Sequence, residues 1–143
     1  MTPRIATAED IPALIEMGRK FHAMSPHKSM AEFDPEAFAA TLRTLMADAA
    51  HSVVLTNGTG LIAGMMTPIY FNPSVYMMEE LLWWAEGGGK ELLAAFTAVS
   101  KAMGARHLYL STLEDERVGK MDEWVKSLGF SALERRYIKD LQA

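Results

Sequence analysis

The chain predicts an α/β fold in which one mixed central β-sheet carries helices on both faces. In the first half, strand-like runs are joined by tight turns, which makes neighbouring strands antiparallel. In the second half they are separated by helix-length stretches with apolar residues at helical spacing. The two regimes meet where the apolar run Leu81-Leu82-Trp83-Trp84 stops at Gly87-Gly88-Gly89 and a periodic helix begins.

Taken in order, residues 3–8 read as a short first strand. Asp10 is placed to cap a helix with Pro12 in its first turn, and Ile11, Leu14, Ile15, Met17 and Phe21 carry an apolar stripe to about Ala23. Residues 24–30 are a loop. Asp34 caps a second helix with Pro35 at its first position, running to about Ala47 on Phe38, Leu42, Leu45 and Met46. His51–Thr56 and Leu61–Pro68 are strands joined by the turn Asn57-Gly58-Thr59-Gly60. Asn72-Pro73-Ser74 turns into the long strand Val75–Trp84, and the helix after the glycines ends near Met103. Arg106–Thr112 is a strand, Glu114–Leu128 a helix, and Leu133–Leu141 a last strand.

At 143 residues the chain is expected to form a single domain, residues 1–143. With no cysteine it has no disulfide, thiolate metal site or Cys nucleophile, which fits a reducing compartment. No apolar run reaches the length of a membrane span and no basic-then-apolar leader is visible, so a cytoplasmic protein is expected. A net charge of −4 with scattered basic residues argues against a nucleic-acid partner. The methionines at Met65-Met66 and Met77-Met78 read as core filler rather than an adaptable binding wall. Tyr76-Met77-Met78 would suit a homodimer contact if exposed.

The triple glycine is the strongest functional signal. Glycines at a strand–helix junction let backbone N–H groups approach a ligand, and the helix start that follows favours an anion. The same glycines also serve as a plain tight turn. No His, Asp and Glu residues have metal-ligand spacing, so no metal is expected. Ser111 and Thr112 have no His–Asp pair nearby in sequence, which leaves hydrolase-type nucleophilic catalysis without support.

Three motifs in order give a resemblance. Arg4-Ile5-Ala6-Thr7-Ala8-Glu9-Asp10 fits an R-x-A-x-x-x-D opening, Leu81 to Lys90 a strand–glycine turn–helix, and Lys126-Ser127-Leu128-Gly129-Phe130 a K-x-L-G-F turn. The chain resembles the GCN5-related N-acetyltransferases (the GNAT superfamily) over nearly its whole length. The Glu79-Glu80-Leu81-Leu82-Trp83-Trp84 strand looks most like small GNAT-like proteins of phage and prophage genomes. The resemblance implies a GNAT-like sheet and an acetyl-CoA-dependent transferase acting on a primary amine of a small molecule or a protein. It implies that main-chain groups of Leu82, Trp83 and Trp84 hold the pantetheine arm. Gly87, Gly88, Gly89 and Lys90 would then hold the diphosphate. Two departures stand out. The glycine turn is shortened, with Trp84 where the family has Arg or Gln, and Val125 replaces the Tyr that often protonates the leaving thiolate. They suit an alternative, a non-catalytic GNAT-like binding or virion-associated module with a degenerate site.

Acetyl transfer needs a base for the amine and a proton for the thiolate. Glu79 and Glu80 are neighbours on one strand and point to opposite faces, so a sheet covered on both sides encloses at least one carboxylate and raises its pKa. Glu80 is the expected base, acting through water, and Glu79 suits a cationic acceptor. Tyr137 is the candidate acid, with Tyr109 the other strand tyrosine. His27, in the loop that forms one wall of the acceptor cleft in the resembled family, is the candidate acceptor contact.

Overall fold

A computed structural model describes residues 2–142. The strands are β1 (Arg4–Ile5), β2 (Ser52–Thr56), β3 (Gly60–Ile69), β4 (Asn72–Ala85) and β5 (His107–Tyr109). The helices are α1 (Ile11–Met24), α2 (Pro35–Ala47), α3 (Gly89–Ala102) and α4 (Val118–Ser127). The sheet runs β1-β2-β3-β4-β5, antiparallel through β4, with β5 parallel to β4. This is the expected mixed sheet.

Each face has its own core. Leu14 and Met17 of α1 and Leu42 and Leu45 of α2 cover Val54, Leu61 and Ala63, with Leu82 and Trp84 at the margin. On the other face, Leu92, Leu93 and Phe96 of α3 pack on Val53, Leu55, Ile62, Met66 and Met78. Every residue of β2 is therefore buried, as a strand between two helical layers must be. Of the four methionines, Met66 and Met78 are core, Met77 is half-buried and Met65 is exposed. With Met78 fully enclosed, the Tyr76-Met77-Met78 stretch is not an open apolar face.

Several boundaries differ from those the sequence predicts. Asp10 stands at the N-cap position of α1, as the spacing predicts, but it also ends the 3₁₀ turn Ala8–Asp10 and its side chain makes no capping hydrogen bond to α1. Its carboxylate accepts the Thr7 N–H at 2.7 Å and both terminal nitrogens of Arg4 at 2.7 Å. That pairing fixes how β1 enters α1 and holds the Asp10 carboxyl well below the usual range, first through the Arg4 hydrogen bonds. The β3–β4 turn falls at Tyr70-Phe71, both exposed, so Asn72-Pro73-Ser74 belongs to β4. The last helix begins at Val118 rather than Glu114. The Asp115 carboxylate accepts the Arg117 N–H at 2.8 Å and folds the preceding residues into a turn instead.

The expected last strand is not formed. Residues 130–140 form neither helix nor strand, and Leu133, Tyr137, Ile138 and Leu141 are exposed. Along that segment Leu133, Tyr137 and Leu141 alternate with Arg135 and Lys139, so pairing would carry cations onto an apolar face. Arg135 instead meets Glu114 in solvent at 3.0 Å. The available edge is also only three residues long.

Gly64 faces Phe96 across the β3–α3 interface. A Cβ there would lie 2.5 Å from the Phe96 ring and 2.7 Å from the Glu79 carbonyl oxygen. Gly64→Ala is therefore expected to lower stability by about 1–3 kcal/mol through overpacking. Chemical denaturation measures it, and an unchanged midpoint would show that the ring moves aside freely.

Candidate functional site

The sheet opens between β4 and β5. β4 runs on to Ala85, but its last residue paired with β5 is Glu79, opposite Tyr109. From Glu80 to Ala85 the β5-side edge of β4 carries no neighbouring strand. On the other side Ala63 pairs with Leu82 and Gly64 with Glu80, so Leu81 is an extra residue. This β-bulge turns the Leu81 side chain outward, 46% exposed, and frees its backbone from the regular ladder.

Glu80 stands at the throat of the opening. By area it is only partly covered, but its carboxyl end is packed among protein atoms. Burial pushes its pKa up to about 7, opposed by the backbone N–H of Ser111 and assisted by the nearby charge of Glu79. Ser111 lies just past β5 and directs its amide at this carboxylate rather than along the sheet. β5 is three residues long, shorter than the seven-residue strand the sequence predicts. Glu79 is half-buried on the last rung shared with Tyr109.

The free edge of β4 leads to the glycine turn. Gly88 has φ +70° and precedes α3, whose N-terminus has no side-chain cap. The N–H groups of the first helical turn, Gly89 to Glu91, therefore have neither an intrahelical acceptor nor a capping side chain. Gly87, just ahead of those amides in the chain, can carry a Cβ into open space. The loop joining β2 and β3 holds the turn from behind. The Asn57 side-chain amide donates to the Gly87 carbonyl at 2.9 Å, and the Glu86 N–H donates to the Thr59 carbonyl at 3.1 Å. A Cβ on Gly88 would lie 2.6 Å from Asn57 Nδ2, in a conformation that L side chains avoid. The geometry fits an anion carried against main-chain N–H groups.

Charges around the turn are mixed. Glu86 is paired with Lys20 of α1 at 2.7 Å, and Glu91 lies in the first turn of α3. The Lys90 ammonium rests 5.7 Å from the centre of the Trp124 ring on α4. Trp83 and Trp84 point to opposite faces. Trp83 stacks at 5.8 Å on Trp124 beside α3, while Trp84 packs against the α1–α2 core under Lys20. Leu82 also belongs to the α1–α2 side.

The remaining sequence candidates are placed apart. His27 lies in a 3₁₀ turn after α1, its ring Nδ1 3.0 Å from the Oγ of buried Ser25. It lines a cavity with Leu81 and Leu82. Tyr137 is 86% exposed in the unpaired C-terminal segment, away from any strand edge. Two residues that sequence reasoning missed now matter, Asn57 and Ser111. Asn57-Gly58-Thr59-Gly60 reads fully as a hairpin turn, which hides the second duty of its asparagine. Ser111 acts through its backbone, for which its residue type gives no signal. Among the described residues, no group of three or more His, Asp or Glu side chains is close enough to hold a metal. None of the helices among the described residues is long and apolar enough to cross a membrane.

No protein-family model and no curated protein matches the sequence. The fold does have solved counterparts. A transcriptional regulator from Bacillus halodurans is 15% identical, with a TM-score of 0.74 over 98% of this chain and 99% of its own. Glucosamine-6-phosphate N-acetyltransferase from Arabidopsis thaliana is 12% identical, with a TM-score of 0.70 over 98% of this chain and 97% of its own. An aminoglycoside acetyltransferase from an uncultured soil metagenomic sample, solved with sisomicin, is 16% identical, with a TM-score of 0.68 over 98% and 95%. At these identities the likeness is one of fold. The fold, a mixed five-stranded sheet with helices on both faces, is GNAT-like.

The position of Glu80 makes a stability prediction. Its folded-state pKa lies above that of an unfolded glutamate, so the folded chain holds a proton that the unfolded chain releases. Stability is then highest below about pH 4.5 in this respect and falls as pH rises toward about 7. Glu80→Gln should remove that slope and melt above wild type at pH 8. Parallel melting curves from pH 5 to pH 8 would show that the carboxyl is not held in a dry setting.

Proposed function

We propose that the chain is an N-acetyltransferase that moves the acetyl group of acetyl-CoA to a primary amine. The carrying observation is the unpaired edge of β4 from Glu80 to Ala85, which ends on the uncapped start of α3. An extended pantetheine arm can hydrogen-bond along such an edge as an added strand would. A diphosphate then reaches the amides of Gly87 to Lys90, with the Lys90 ammonium at hand. The backbone of Leu82, Trp83 and Trp84 serves the arm, while Trp83 and Trp84 themselves act in packing. The acetyltransferase names of the fold counterparts agree with this reading.

In the reaction the amine nitrogen bonds to the thioester carbonyl carbon, the C–S bond breaks, and an amide and a free thiol result. The amine enters mostly as an ammonium and must lose a proton first. Glu80, with a pKa near 7, takes it through water at physiological pH. The bulge at Leu81 supplies a main-chain amide to the developing oxyanion. Tyr137, in solvent and outside the sheet, is left out of this scheme, and the thiolate takes its proton from water. Glu79 and His27 flank the acceptor. The compact Glu86–Lys20 pair and the acidic Glu91 beside the turn favour one second reading, a binding domain without acetyl-CoA.

The two readings separate by calorimetric titration with acetyl-CoA. Gly87 is the position to alter, since Gly88 cannot accept a side chain without strain. Gly87→Val should abolish acetyl-CoA binding and leave the melting temperature within a few degrees of wild type. Wild-type protein that takes up no acetyl-CoA at millimolar concentration would leave the binding-domain reading standing. For the base, Glu80→Gln should lower kcat by about two to four powers of ten with acetyl-CoA affinity unchanged. The deficit should narrow as pH rises and more amine is already neutral. Wild-type turnover in that variant at neutral pH removes Glu80 from the mechanism.

A further inference from the structure

A cavity of about 220 Å³ lies between α1, the segment that leads into α2, and the bulge of β4. It opens into a broader depression of about 540 Å³ that shares His22, His27, Phe33 and Phe38. Its walls are chiefly the rings of Phe21, Phe33 and Phe38 with Leu81 and Leu82. Phe33 and Phe38 pack on each other at 5.2 Å, and His22 lies 5.8 Å from Phe33. Gly18 makes this packing attainable. A Cβ at that position would lie 2.6 Å from the Phe38 ring, so the ring rests directly on the α1 backbone. A glycine inside a helix costs about 1 kcal/mol relative to alanine, and here it lets the ring form the wall.

Several polar groups around the cavity already have partners within the chain. His22 Nε2 lies 2.8 Å from the Ala31 carbonyl oxygen, and Ser25 Oγ is paired with His27 Nδ1 at 3.0 Å. Asp34 spends one carboxylate oxygen on the N–H groups of Glu36 and Ala37. The Arg19 guanidinium lies over the outer ring, 5.3 Å from Phe33. A sugar hydroxyl driven into this space would lose its water and find few partners, which costs about 1–3 kcal/mol each. A polycation would meet no carboxylate among the inner lining residues. An apolar group loses nothing there, and an apolar cavity of about 150 Å³ is known to hold one benzene ring.

We infer that this cavity takes a compact primary amine bearing one aromatic ring or a branched alkyl group on a short arm, and excludes aminosugars and polyamines. The apolar group fills the space between Phe33, Phe38 and Leu81. The arm leads the nitrogen toward the bulge, where Leu81 directly follows Glu80 in the chain. As an assignment of acceptor class it rests on the transferase reading, but as an assignment of what binds it stands by itself.

The test uses 2-phenylethylamine, 3-methylbutylamine, glucosamine and a lysine-containing peptide. Each is titrated calorimetrically into the protein with and without acetyl-CoA, and acetyl transfer is followed by thiol release. The two apolar amines should bind about tenfold or more tightly than glucosamine and show correspondingly lower KM. Phe33→Ala should weaken phenylethylamine about tenfold, mainly in KM, with acetyl-CoA affinity unchanged. If that variant is unfolded, Phe33→Leu carries the same comparison with a smaller loss of wall. Apolar amines that bind to a protein taking up no acetyl-CoA would support the cavity and sink the transferase. Transfer to glucosamine or peptide in preference, or phenylethylamine binding indifferent to Phe33, would overturn the cavity assignment and leave the transferase intact.

Discussion

The extra residue at Leu81 is the constraint on which the rest of the site depends. An inserted residue in β4 breaks the two-residue alternation of side chains, so the strand before it and the strand after it present different sets to each face. Before the bulge, Met78 joins the α3 core. After it, Leu82 and Trp84 face α1 and α2, while Trp83 faces α3 and α4. The bulge also fixes where β4 leaves β5. Beyond Glu79 the two strands have no common rungs, and a backbone edge six residues long is left without a strand. Gly64 belongs to the same device, because only a residue without a Cβ lets Phe96 close under the distorted rung.

An open edge and a raised carboxyl pKa are two results of one geometry. The separation of β4 and β5 makes the space in which Glu80 sits, and the packing of that space deprives its carboxylate of water. The Ser111 amide partly offsets that cost. A proton acceptor near 7 is well matched to an amine at physiological pH. At the other end of the edge, the glycine turn is held by the β2–β3 loop through Asn57 and Thr59. The proposed carbonyl and diphosphate positions are thus braced from opposite sides of the sheet.

Much of this was legible in the sequence. Hairpin signals and helical periodicity determined the order of the five strands and four helices that form, though not the absence of a sixth strand, and Asp34-Pro35 marked the start of α2 to the residue. The triple glycine marked the start of α3, and the paired glutamates lie on the strand whose edge is left open. Such signals are local, since capping, turn chemistry and amphipathic spacing act over a few neighbouring residues. Where local signals competed with longer contacts they misled. Asp10 takes the N-cap place of α1 but spends its carboxylate on Arg4 and Thr7 instead of the helix, and residues 133–141 alternate like a strand but find too short an edge and too many charges.

The sequence by itself determined which residue types were at hand: a glycine-rich junction, adjacent carboxylates, aromatics on the first two helices, and no cysteine. Only the tertiary structure decided which of them meet. A bulge has no residue-type signature here, because Leu81 is one more apolar residue in a strand, and its effect is visible only against the register of β3. The choice of Glu80 over Glu79 for the dry position, the bracing of Gly87 by Asn57, and the cavity at Phe33 all follow from contacts between distant parts of the chain. These contacts depend on shape and distance, which composition and spacing do not carry.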